Sequence, residues 1–424
     1  MIALLFTLLG IGLVFCIPVF LSLTISSFAT LVLTTAIPAE IVIQRMFSGI
    51  DKFSLMAVPF FIFAANVMNR GGLAPRIVKF SNALVGHLNG GIAFTVVLSC
   101  MFLGAVSGSA PATVIAICTL MLPMLIEAGY GKGFSVGLIM ASSSVAVIIP
   151  PSIGMIVYGS VTGTSVGELF IAGFLPGIVY GLCFMVLSYG YARVKKVQLR
   201  PRASVREVLG AFKQAGFALG VPLVIIGGIY GGLCTPTEAA GISAVYAIIV
   251  SLFVYREMNF RDLVKVAYDS AVGTAQVMII LAGASVFAWV MTRFQVPVML
   301  TEAVMSLGTS PFAILLMINL ILLLAGMFLD PASIQTIMAP LFLPVAVSIG
   351  VDPVHLGIIM VVNGAIGMFT PPFGLNLFVA SSATGIPLSE LIKTVWPWIL
   401  VSLVALMLIT YIPSISMLLP GFLY

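Results

Sequence analysis

Long apolar runs cut by short polar or proline-rich breaks dominate the chain. A membrane-crossing helix needs ~20 apolar residues. Runs near that length lie at 2–20, 22–37, 53–69, 92–106, 112–127, 134–162, 174–192, 215–233, 238–254, 272–292, 310–328, 333–349, 354–382 and 395–417. Two adjacent pairs are short, 92–106 with 112–127 and 310–328 with 333–349. Each pair is joined by a few residues, which predicts two re-entrant hairpins, at about 92–127 and 310–349. Runs 134–162 and 354–382 are too long for a simple crossing and each contains Pro-Pro, which predicts interrupted spans. Stretches 40–52 and 257–269 predict amphipathic arms. The pattern defines an all-α polytopic membrane protein.

Composition agrees. Of 424 residues, 61% are hydrophobic and 7% charged, where a soluble domain carries roughly 25% charged residues. That excludes a soluble enzyme, a secreted disulfide scaffold, a nucleic-acid binder and a disordered chain. Cys16, Cys100, Cys118, Cys183 and Cys234 lie in or beside apolar runs without CxxC spacing and read as structural thiols. His87 and His355 lack zinc spacing. The N-terminus has no basic leader and reads as a first membrane helix.

Charge sets the sides. The stretch 191–213 holds Arg193, Lys195, Lys196, Arg200, Arg202, Arg206 and Lys213 against Glu207 alone, the mark of a cytoplasmic loop. Counting spans outward puts Arg70, Arg76, Lys79, Arg256, Arg261 and Lys265 on that side. Glu238, Arg293 and Glu302 fall on the other, with both termini periplasmic.

The chain also repeats itself at an offset of 220–223. Pro111-Ala112-Thr113 answers to Pro331-Ala332-Ser333, Gly137-Leu138-Ile139-Met140 to Gly357-Ile358-Ile359-Met360, and Pro150-Pro151 to Pro371-Pro372. Arg70 and its counterpart Arg293 fall on opposite sides, so the repeat is inverted. Inverted repeats with broken helices mark secondary transporters. The predicted division is 1–69 (scaffold spans and arm), 70–190 (first transport half), 191–213 (basic linker), 214–292 (scaffold spans and arm) and 293–424 (second transport half and last span).

Proline removes a donor and leaves carbonyls before it unpaired, and in hydrocarbon these need partners. A hard cation held by oxygen ligands is one solution. The hairpin tips and breaks therefore predict two Na⁺ sites. Site one takes Ser107, Ser109 and carbonyls of Ala146, Val147 and Ile149; site two takes Asp330, Ser333, Gly367 and Thr370. Each tip is expected to pair with the interrupted span of its own half. Asp330 is the only acid in a long apolar stretch, a costly position, and Asp before Pro331 is also a favoured helix start. It reads as a cap that supports a cation, with a proton-coupling role as the alternative. Ser142, Ser143, Asn363 and Asn376 either bind solute or pack between helices.

No G-x-x-x-x-G-K-[ST] occurs, so ATP is not the energy source. An H⁺-coupled carrier, a channel, and an intramembrane serine hydrolase built from Ser107 or Ser109 with His87 are the rival readings.

The segments Gly104-Ala105-Val106-Ser107-Gly108-Ser109-Ala110-Pro111-Ala112-Thr113, Ile149-Pro150-Pro151-Ser152, Thr235-Pro236-Thr237-Glu238-Ala239-Ala240-Gly241 and Phe369-Thr370-Pro371-Pro372-Phe373-Gly374 resemble the large membrane subunit (the DctM-like M subunit) of tripartite ATP-independent periplasmic (TRAP) transporters. The resemblance covers essentially the whole chain and is closest to the sialic-acid type, with C4-dicarboxylate next. It implies Na⁺-driven import of an organic acid across the bacterial inner membrane by an elevator motion of a transport domain against a scaffold. It implies two partners, a small four-helix membrane subunit (Q type) and a periplasmic solute-binding protein (P type). Carried over by motif, the cation ligands fall at Ser107 and Asp330 and their facing breaks. Glu238 and Arg293, on the outer face, are expected to help dock the binding protein by charge complementarity.

Overall fold

The computed structural model describes residues 1–15, 17–198, 201–306, 308 and 310–423; Cys16 and Arg200 lie outside them. The described residues form helices joined by short turns. Among the described residues seven helices are long and apolar enough to cross a membrane, or nine if two bent pairs each count as one span. The chain is a multi-span membrane protein.

The helix boundaries repeat as the residues do. The first hairpin is Gly91–Ser107 and Ala110–Glu127, the second Pro311–Gly326 and Pro331–Ser348. The first interrupted span is Lys132–Ser144 with a 3₁₀ turn Val145–Val147, a break, then Ile153–Thr162. The second is Pro353–Gly367, a break, then Leu375–Thr384. Prolines at equivalent places enforce the same interruption twice.

Several elements depart from the sequence pattern. The arm at 257–269 and the span at 272–292 form one continuous helix, Phe260–Arg293, while the first arm, Glu40–Ile50, stays separate from Ala57–Arg70. Helices Leu73–Val85 and Val296–Ser306 escape hydropathy because they are short. The run 174–192 starts earlier, at Val166, and continues to Lys195.

Packing between the halves is reciprocal. Val19–Thr34 of the first half lies on Phe260–Arg293 of the second, and Pro236–Ile249 of the second lies on Ala57–Arg70 of the first. The second arm Pro331–Ser348 packs on Ile153–Thr162, and its counterpart Ala110–Glu127 packs on Leu375–Thr384. Contact of i with j mirrored by j with i is what a two-fold relation between like units produces. Tyr180 donates to Ser402 Oγ at 3.1 Å, joining positions 222 apart, at the repeat offset.

Candidate solute and cation site

Each hairpin tip rests on a proline break through small residues. A β-carbon on Gly104 would stand 2.5 Å from Ala146 Cα, and one on Gly108 the same distance from the Pro151 carbonyl oxygen. Gly108 also turns the chain at φ 56°, a left-handed angle that glycine adopts without strain. In the second half a β-carbon on Gly364 would sit 3.1 Å from Pro331 Cβ. Each hairpin tip thus lies against the interrupted span of its own half. The second arm also reaches the interrupted span of the other half, which the repeat alone does not reveal.

That reach brings both tips to one cavity of about 170 Å³, walled by Gly108, Ser109, Val147, Asp330, Gln335 and Met368 among others. Val277 of Phe260–Arg293 forms part of the wall.

At the second tip Asp330 caps its own helix. Its Oδ1 accepts from the Ala332 and Ser333 amides at 2.9 and 3.1 Å, and its Oδ2 accepts from the Ser333 hydroxyl. Pro331 at the first helical position has no amide to leave unpaired. At the first tip Ser109 precedes the helix without a side-chain cap bond. There Ser107 Oγ accepts from the Ser109 amide at 3.3 Å and lies 3.4 Å from Thr113 Oγ1. Thr113 donates to the Ser109 carbonyl at 2.9 Å. Sequence reasoning named Ser333 and missed Thr113, although the repeat places the two in register.

The breaks resolve their carbonyls in parallel. Val147 O accepts from Ser152 Oγ at 2.6 Å, and Met368 O, its counterpart, accepts from the Asn376 amide at 2.7 Å. The Val147 carbonyl therefore already has a partner, which the sequence reading did not foresee. Gly367 O accepts from the Thr370 amide at 3.2 Å, and Thr370 Oγ1 donates to Ile366 O at 2.7 Å. Pro150 removes the amide that would otherwise bond Ala146 O. Ile149 is buried beside that break. Thr113, Ser333 and Thr370 all turn their protons onto protein oxygens. A hydroxyl that donates in this way keeps its lone pairs for a cation.

The remaining expected residues are scattered. Ser143 lies 3.7 Å from Cys100 Sγ, and Ser142 Oγ is buried with no protein partner. Asn363 donates to Asn319 Oδ1 at 2.7 Å, and Asn319 in turn donates to Thr410 Oγ1 at 3.1 Å. Asn376 reaches across the halves to Met140 O at 3.1 Å. Both asparagines thus bridge helices, while each keeps a buried carbonyl oxygen without a partner. None of these four lines the cavity between the tips.

Gln335 was not singled out by sequence. It is 0% exposed, walls the cavity, and has no partner at either amide atom among the described residues. The visible signal was a lone amide in an apolar helix.

Glu238 closes a capping box with Thr235, accepting from its amide at 2.8 Å and its hydroxyl at 2.9 Å. Thr-Pro-Thr-Glu is therefore a helix start. Arg293 lies exposed at a helix end, beside a depression that includes Met1 and Ile37. No hydrogen bond or ion pair joins Glu238 to Arg293 among the described residues.

His87 lies in the turn that precedes Gly91–Ser107, and Ser107 is that helix's last residue; the helix is roughly 25 Å long at ~1.5 Å per residue. That is far outside the reach a general base requires.

Broken helices, two helical hairpins and a cavity between their tips suit a membrane carrier. Residues 2–415 match the family model described as the DctM component of the tripartite ATP-independent periplasmic transporter. Over 402 residues the chain is 44% identical to the C4-dicarboxylate TRAP transporter large permease protein DctM of Pseudomonas aeruginosa, covering 95% of this chain and 94% of that one. It is 35% identical over 411 residues to the sialic acid TRAP transporter large permease protein SiaM of Vibrio cholerae, covering 97% and 96%. The YdaH transporter of Alcanivorax borkumensis shares the fold, with a TM-score of 0.59 at 16% identity over 90% of each chain. The chain belongs to the DctM family of TRAP transporter large permeases and is a transport protein, not an enzyme. The sialic-acid type is not singled out by these matches.

Proposed function

We propose that this permease imports a small organic acid, coupled to Na⁺, through the cavity between the two hairpin tips. The observation that carries the reading is the convergence of both tips, with residues of both interrupted spans, on that single space. A C4-dicarboxylate stands ahead of sialic acid. The relative named for the former is the more similar of the two.

Two cation sites flank the cavity in this reading. One draws on Ser107, Thr113 and the Ala146 carbonyl, with Ser109 and Ile149 at its border. The other draws on Asp330, Ser333, Thr370 and the Gly367 carbonyl. Only the second contains a carboxylate, so it binds Na⁺ more strongly. The halves have opposite orientation in the membrane, both termini face the periplasm, and the hairpin-bearing halves move against the scaffold. The partners are a small four-helix membrane subunit and a periplasmic solute-binding protein in the bacterial inner membrane. Arg293, whose side chain is exposed, contributes to docking; Glu238 serves chiefly its helix cap.

The test is uptake of labelled dicarboxylate into proteoliposomes holding the chain and its small partner, with the binding protein outside. Uptake that requires an inward Na⁺ gradient, and is lost in Asp330→Ala, is the expected result. Uptake that ignores Na⁺ and follows a pH gradient would overturn Na⁺ coupling.

A further inference from the structure

Gln335 is the one cavity-wall side chain whose two polar atoms are both buried and unpartnered among the described residues. A buried amide in that condition costs the desolvation of a donor and of an acceptor with nothing returned. The second tip offers it no relief. Both Asp330 oxygens are engaged by the first turn of their own helix. Thr336, the next residue, donates to Ala332 O at 2.7 Å. Gln335 sits one helical turn beyond Pro331 on the same helix, Pro331–Ser348, and it and the capped tip both border the same cavity. An apolar residue would fill the position without that cost, and its neighbours Ile334 and Ile337 are apolar and buried.

We propose that Gln335 reads the solute, and that the solute is a hydroxylated organic acid: Nε2 donates to an oxygen of the acid, and Oε1 accepts from a hydroxyl on the adjacent carbon. An unsubstituted dicarboxylate at neutral pH presents only acceptors. It would satisfy Nε2 and leave Oε1 buried and unpaired. A malate-like acid satisfies both. A site built to bond a hydroxyl discriminates strongly against the analogue that lacks it, because its own polar group is then stranded. This inference rests on the reading of the cavity as the solute site and adds the chemical class that the site selects.

The experiment uses the full chain, purified in detergent with Na⁺ present, and follows thermal unfolding while L-malate or succinate is titrated. Direct titration separates the preference of this chain from that of any binding protein. The wild type is expected to bind malate at least about tenfold more tightly than succinate. In Gln335→Met the ratio should collapse to within about twofold, mainly by loss of malate affinity. The same variant should unfold at a higher temperature than the wild type when no solute is present, since two stranded polar groups are gone. A wild type that binds succinate as tightly as malate overturns the proposal whatever the variant does. So does a Met variant that keeps the wild-type ratio or loses solute-free stability, which would make Gln335 a packing residue. If neither acid shifts the wild type, the inference about Gln335 falls, while the reading of the cavity as the solute site is judged separately by the uptake assay.

Discussion

A β-carbon on Gly367 would stand 2.5 Å from the carbonyl oxygen of Gly326. The two backbones touch where the second hairpin meets the second proline break. Gly104 and Ala146 make the same approach in the first half, at the repeat offset. The neighbour in each case is backbone and cannot swing away.

Gly367→Ala should therefore destabilise the protein by about 1–3 kcal/mol, the usual cost of forcing atoms into a full site. Thermal unfolding of the purified variant measures this. Gly216→Ala is the control, because nothing lies within 4 Å of a β-carbon there. In a helix interior that change should be neutral or stabilising by up to about 1 kcal/mol. Equal behaviour of the two variants would mean the hairpin and break do not pack as described.

Asp330 combines two roles that different substitutions separate. Asp330→Asn keeps an oxygen for the Ala332 and Ser333 amides and removes the charge. Its stability without Na⁺ should stay close to wild type, while stabilisation by added Na⁺ should largely disappear. Asp330→Ala loses the cap as well, at about 1 kcal/mol. A Na⁺ titration of the unfolding midpoint reads both effects, and an Asn variant with the full wild-type Na⁺ response would reduce Asp330 to a cap.

Thr113→Val removes the hydroxyl that lies against Ser107 and donates to Ser109 O. The Na⁺ concentration for half-maximal uptake should rise about tenfold, corresponding to ~1.4 kcal/mol of lost binding. Unchanged Na⁺ dependence in proteoliposomes would remove the first cation site from this place.

Lys52, between the first arm and the following span, donates to the Ser160 carbonyl at 2.5 Å. Although Lys52 is exposed, partial desolvation pushes its amine below the usual lysine range. A lysine with a lowered folded-state pKa carries a cost while charged, and that cost lifts as pH rises from the folded to the unfolded value. The wild type should therefore gain stability relative to Lys52→Met as pH is raised toward the ordinary lysine range. Unfolding midpoints of the two proteins across alkaline pH would show the gap moving in that direction, and a gap that moves the other way would mean the contact favours the charged amine.

Much of this molecule is legible in one dimension because its solvent is apolar. Runs of apolar residues must become helices in a bilayer, where every backbone group needs an internal partner. The two proline pairs announce where that rule is broken. Duplication shows as an offset, and the first and second hairpins appear within a residue or two of their expected ends. Short or amphipathic helices such as Leu73–Val85 fall below what hydropathy detects, and the fusion of arm and span in Phe260–Arg293 depends on the absence of a breaker between them.

The sequence by itself determined the membrane class, the places of the two helical hairpins and the two proline breaks. All of these follow from local chemistry and from spacing along the chain. Only the tertiary structure decided which polar groups are already occupied. Val147 O is taken by Ser152, Thr370 by Ile366, and Asn363 by Asn319, whereas Gln335 is left with nothing. Hydrogen bonds saturate, so a group's availability depends on its neighbours in space. Asn363 and Asn319 are 44 residues apart, and their meeting is set by the packing of one helix on another, which no run of residues encodes on its own.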